Sequence, residues 1–113
     1  MPPDDSLMCK PEFTKDLKDL TIKDGETLTL TCSVNGDPEP QITWAKSGKA
    51  ISSSEIMDLK YKGGVATLTI NEVFPEDEGV YTCTATNSIG STETKCKLTI
   101  KRMYFELIFR CLI

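Results

Sequence analysis

Cysteine is the most reactive side chain in this sequence, with Cys9, Cys32, Cys83, Cys96 and Cys111 making a count of five. Thiolates are nucleophiles and soft metal ligands. No two of these cysteines stand in a Cys-x-x-Cys pair, so their spacing does not read as a zinc or dithiol site. The chain has no histidine, which removes the commonest general base and a frequent metal ligand. Glu72, Glu76, Asp77 and Glu78 concentrate carboxylates. They lack the alternating acidic positions of a calcium loop and read as a solvated acidic corner. Asp77 is expected to pair with a lysine of the preceding strands, Lys60 or Lys62. Lys62-Gly63-Gly64 is not a phosphate-cradling motif and reads as a hairpin turn. Catalytic, cofactor-binding and metal-ligating residues are therefore expected to be none, and the chain reads as a non-enzyme.

Composition bounds the partners. The chain has 113 residues, 39% apolar and 27% charged, with a net charge of −4. That suits one soluble domain with one core. Lysine and arginine are scattered, so neither a nucleic-acid backbone nor an anionic membrane meets a basic patch.

Hydrophobic alternation supplies the elements. Leu28, Leu30, Cys32 and Val34 point one way between threonines and serine, which is a half-buried strand of period two. Ile42 and Trp44 are the inward positions of the next strand. Met57, Leu59 and Tyr61 alternate with charge, Gly63-Gly64 turns the chain, and Ala66, Leu68 and Ile70 return it. Tyr81, Cys83 and Ala85, then Cys96, Leu98 and Ile100, complete the pattern. Turn signals recur at Gly25, Asn35-Gly36-Asp37-Pro38, Ser47-Gly48, Pro75 and Asn87-Ser88-Ile89-Gly90. Gly36, Gly48 and Gly90 are expected where the backbone needs positive φ. A single helical turn or an irregular corner fits Phe74 to Glu78. The fold class is all-β, a two-sheet antiparallel sandwich.

One constellation is more specific. Cys32, Trp44 and Cys83 stand with Asp77-x-Gly79-x-Tyr81-x-Cys83 closing the pattern. In such a sandwich the Trp packs on the two sulfurs and the Tyr hydroxyl bonds back to the corner before its strand. This resembles the immunoglobulin fold. Pro11-Glu12-Phe13, Asp24-Gly25-Glu26, Asn35-Gly36-Asp37-Pro38-Glu39-Pro40, Lys46-Ser47-Gly48-Lys49, Thr67-Leu68-Thr69-Ile70 and Ala85-x-Asn87-x-x-Gly90 sharpen the likeness. Over residues 11–101 the chain is similar to the intermediate-set domains of titin, obscurin, palladin, myosin-binding protein C and the myosin light chain kinases, titin foremost.

The resemblance implies a structural core of Cys32, Trp44, Leu68, Asp77, Tyr81 and Cys83. It leaves two states open for Cys32 and Cys83, a disulfide or two buried thiols, and a reducing compartment favours thiols. It implies a load-bearing, protein-binding module of a large muscle or cytoskeletal filament protein, with terminal strands near 13–23 and 91–101 bonded side by side. The expected setting is the cytoplasm, at the sarcomere or actin cytoskeleton. The expected partners are neighbouring immunoglobulin or fibronectin-like domains and sarcomeric or cytoskeletal proteins, with the isolated domain a monomer. The competing implication is a ligand-binding module of an extracellular adhesion or guidance receptor. Asn35, Asn71 and Asn87 start no glycosylation sequon, and the acidic, proline-bearing first residues do not read as a secretory signal. Residues 1–10 read as a linker. Residues 102–113 read as an apolar tail outside the domain, too short and too charged to span a bilayer.

Overall fold

Val, Ile, Leu and Thr at alternating positions favour a pleated surface with one dry face, and most of the nine strands among the described residues form where that alternation runs. The computed structural model describes residues 8–102. The expected linker up to residue 7 and the apolar tail from residue 103 lie outside them. In chain order the strands are β1 (Cys9–Lys15), β2 (Leu20–Lys23), β3 (Leu28–Asp37), β4 (Gln41–Lys46), β5 (Lys49–Ile51), β6 (Met57–Lys62), β7 (Val65–Ile70), β8 (Gly79–Thr86) and β9 (Ser91–Lys101). A 3-10 turn covers Pro75–Asp77. Pro75 suits its opening because a first-turn residue needs no N–H partner.

The strands divide into two layers, one ordered β1-β3-β7-β6 and the other β2-β9-β8-β4-β5. Neighbours are antiparallel except β2 and β9, which run parallel in the register Leu20↔Leu98 to Lys23↔Lys101. The first half of the expected terminal strand behaves differently. Residues 9–15 pair with β3 in the opposite layer, and the chain changes sheets before Leu20. Strand β1 begins at Cys9, two residues ahead of the boundary expected at Pro11.

Two hairpin tips need left-handed backbone. Ser47 and Gly48 take φ of 50° and 85°, and Gly63 and Gly64 take 60° and 80°, the paired positive values of a tight two-residue turn. Gly36 and Gly90 correct the sequence expectation, because neither has positive φ. A Cβ on Gly36 would meet Pro40 Cγ at 2.7 Å, and one on Gly90 would meet the Lys10 side chain at 3.2 Å. These two are glycines for close approach, not for φ. The Asp37–Pro38 peptide is cis.

The core lies between the layers. Leu28, Cys32, Ala66, Leu68, Val73, Tyr81, Cys83, Ala85 and Leu98 have no exposed surface, and Trp44 keeps only 4%. Trp44 is directly opposite Cys83 across β4 and β8, so both rise from the same face. Trp44→Ala removes the largest side chain of this layer and leaves a cavity. Chemical denaturation should show a loss of about 3–5 kcal/mol.

Candidate functional site

Two features organise this molecule, a core knot and a clamp of terminal strands. The knot starts from Cys32 on β3 and Cys83 on β8, which reach across the layers as free, buried thiols. A hydrogen bond between them, reinforced by burial, pushes the Cys83 thiol well above its ordinary value. Cys96, on β9 opposite Tyr81, is buried too. Burial first, and the Asp19 carboxylate next, raise its thiol to about 11. Leu68 fills the facing layer between Leu30 and Leu59.

Tyr81 closes the knot. Its ring is fully buried and its hydroxyl donates to the Asp77 carbonyl at 2.6 Å. Burial and the nearby Asp77 charge raise its pKa strongly. Lys46 Nζ lies 5.9 Å from the Tyr81 ring centroid and donates to the Glu76 carbonyl. The Asp77 side chain does not meet Lys60 or Lys62. Its Oδ2 accepts the Phe74 N–H at 2.8 Å, capping the 3-10 turn from its third residue as a capping box does. Lys60 turns instead to Asp58, at 3.5 Å. Two carboxylates of this corner, Asp77 and Glu78, are spent on backbone N–H groups, and no group of metal-ligating side chains forms among the described residues.

The clamp runs alongside. Residues 17–24 follow residues 94–101 in the same direction. The Leu17 N–H donates to buried Thr94 Oγ1 at 3.1 Å, and the Lys97 N–H donates to Asp19 Oδ1 at 2.8 Å. Backbone pairing then takes over through β2, and the Asp24 N–H ends the run on the Lys101 carbonyl at 2.8 Å. On the other side of β9 the Ile100 N–H donates to Glu78 Oε2 at 2.9 Å. Thr94, Asp19 and Glu78 were not legible as clamp residues. Polar residues beside a strand have no sequence signal for which N–H they will meet.

At the opposite pole Asn87 is a clasp that sequence reading took for turn chemistry alone. Its Oδ1 accepts the Ile89 and Gly90 N–H groups, and its Nδ2 donates to the carbonyls of Cys9 and Pro38 at 2.8 and 2.9 Å. One amide thereby ties β1, the β3–β4 loop and the β8–β9 turn.

A family model described as the immunoglobulin I-set domain matches residues 11–100. The chain is an immunoglobulin I-set domain. This I-set domain is 40% identical over 91 residues to smooth muscle myosin light chain kinase of Gallus gallus, covering 80% of this chain and 5% of that protein. It is 41% identical over 91 residues to human slow-type myosin-binding protein C, covering 80% of this chain and 8% of that one. The chain thus spans a small fraction of the curated relatives it matches, and the similarity carries the I-set module. Among solved structures, titin domain M7 aligns with a TM-score of 0.81 at 36% identity, over 84% of this chain and 97% of that one. No helix among the described residues is long and apolar enough to cross a membrane.

Tyr81→Phe removes the corner hydrogen bond but keeps the ring, so it should cost about 1 kcal/mol in a denaturant titration, well below Trp44→Ala. The raised Cys96 thiol sets a pH dependence. The folded state holds this proton more tightly than the unfolded chain, so its contribution is complete below about pH 8 and is lost as pH rises towards 11. By pH 11 the loss should reach roughly 2–3 kcal/mol. Cys96→Val should flatten that part of the stability–pH curve.

Proposed function

We propose that this I-set domain is one link of a long intracellular filament protein of striated muscle or the actin cytoskeleton, where it bears load and docks partner proteins. The parallel run of β2 along β9 carries the reading. Strand β2, which follows β1 near the N-terminal end, and β9, the last of the described strands, are bonded side by side and point the same way. Tension entering before Leu17 and leaving after Lys101 therefore pulls the two strands in opposite directions along their length. Their hydrogen bonds load together in shear, whereas a hairpin opened from its end loses bonds one at a time.

The relatives support the setting, being muscle proteins by name. The docking role draws support from similar structures captured as complexes. Titin domains Z1Z2, seen in complex with telethonin, align with a TM-score of 0.82 at 30% identity, over 85% of this chain and 50% of that one. The complex of titin M10 with an obscurin-like 1 immunoglobulin domain aligns with a TM-score of 0.81 at 28% identity, over 83% of this chain and 96% of that one. Partners of the same kind are proposed here: neighbouring immunoglobulin or fibronectin-like domains and sarcomeric or cytoskeletal proteins, met by a monomeric domain in the cytoplasm. No catalytic role is proposed.

Force spectroscopy of the domain held by its two ends tests the load-bearing claim. Asp24 donates to β9, so by the two-residue alternation of a strand the Ile22 N–H faces β9 as well. Ile22→Pro removes that donor and should cost roughly 1–3 kcal/mol. It should lower the unfolding force more than Leu59→Ala in β6, a substitution of similar cost outside the clamp. Equal forces for the two variants would refute the shear reading.

A further inference from the structure

Strand β6 is an outer strand of its sheet, and an outer strand presents unpaired backbone groups that a second chain can take up. Here the chain covers its own edge. The Leu59 N–H donates to Ser53 Oγ at 3.1 Å, and the Ser53 hydroxyl makes a longer contact, 3.5 Å, to the Leu59 carbonyl. Leu59 therefore turns its backbone away from β7, although it sits opposite Leu68 in register. In an antiparallel ladder this orientation recurs every second residue, so Met57 and Tyr61 also face the free side. The Met57 carbonyl confirms it by accepting the Ser54 N–H at 2.7 Å. One hydroxyl and one N–H thus stand in for a neighbouring strand.

Beneath the same loop the two layers part between β5 and β6. A cleft of about 330 Å³ opens there, with Ile42, Trp44, Ile51, Leu59 and Tyr61 among its walls and Ser53 at its rim. The outward face of β6 carries Asp58, Lys60 and Lys62. Asp58 is engaged by Lys60 and Glu39 hydrogen-bonds to Tyr61, which leaves Lys62 as the cation of β6 with no ion-pair partner among the described residues.

We infer that the β6 edge is a docking site for an extended partner segment of alternating apolar and acidic residues, and that Ser53 is the latch that closes it. The inference rests on the reading of this domain as a protein-binding module. An added strand would take the outward backbone groups of Met57, Leu59 and Tyr61. Its apolar side chains would enter the cleft, and a carboxylate would lie beside Lys62. The loop must swing aside first, and what it gives up is little more than the Ser53 bonds and the Ser54–Met57 bond.

The test is an amide-resolved NMR titration of the domain with an alternating glutamate–valine hexapeptide, using the wild type, Ser53→Ala and Ser53→Thr. Shifts should concentrate in residues 52–62. Ser53→Ala should bind about five to ten times more tightly and exchange the Leu59 amide faster, because one hydrogen bond no longer competes. Ser53→Thr keeps the hydroxyl and should behave as wild type. A lysine–valine hexapeptide should bind more weakly than the acidic one. Equal affinity of wild type and Ser53→Ala, shifts centred on β1, β2 or β5, or no binding by any variant would each overturn the proposal. The pulling experiment reads β2 against β9 and uses β6 only as its control, so the two readings fail separately.

Discussion

The distance between the two layers is fixed where Cys32 meets Cys83, and the rest of the molecule is fitted to that distance. Facing sheets pack about 10 Å apart. Two small side chains at the midline bring β3 and β8 together, and larger ones fill the space that the sheet twist opens around them. Trp44 lies beside Cys83 on the next strand, and Tyr81 lies two residues before it. Leu28, Leu68 and Leu98 complete the dry layer with no exposed surface. Burial of this kind is non-directional. What makes it specific here is the alternation of each strand, since a one-residue slip would turn every inward side chain to solvent.

Directionality comes from the polar residues. Buried or half-buried backbone groups must find partners, and in this domain many of the partners at strand ends are side chains. Asp77 receives Phe74, Glu78 receives Ile100, Asp19 receives Lys97, Glu26 receives Lys23, and Thr94 receives Leu17. Asp77 and Glu78, adjacent in the acidic run of the sequence, thereby go to separate backbone sites in three dimensions. A carboxylate suits these positions because it accepts an N–H strongly without needing a donor of its own.

The two-sheet sandwich, the inward faces of six strands and the Tyr81 corner were legible because they rest on period-two alternation and on the spacing of a few distinctive side chains. The choice of sheet for residues 9–15 was not. Phe13 and its neighbours alternate too weakly to show that β1 joins β3 while β2 joins β9. Leu17 and Val73 were missed as core because each sits in a connection, where no periodicity marks it. The roles of Gly36 and Gly90 were misread because a turn-rich context suggests backbone freedom, whereas the actual constraint is a side chain arriving from elsewhere in the chain. Asp77 was assigned an ion pair because charge is visible in sequence and an available N–H is not.

The clamp has a consequence for how this domain comes into being. Leu17 and Thr94 are 77 residues apart in the chain, and β9 lies between β2 and β8 in its sheet. While the polypeptide is being made, β2 has no neighbour and β8 has an open flank until the final strand has been synthesised. At ordinary elongation rates of about 5–20 residues per second, that interval lasts roughly 4–15 seconds for β2 and about 1–3 seconds for β8. During it the nascent layer β8-β4-β5 shows a bare inner edge, and the half-core holding Tyr81 and Cys83 lacks its lid of Leu98 and Ile100. Completion is therefore a late, long-range event of the kind that slows folding. In an array of such domains the growing chain would carry one unfinished sandwich at a time, next to a finished neighbour of similar sequence.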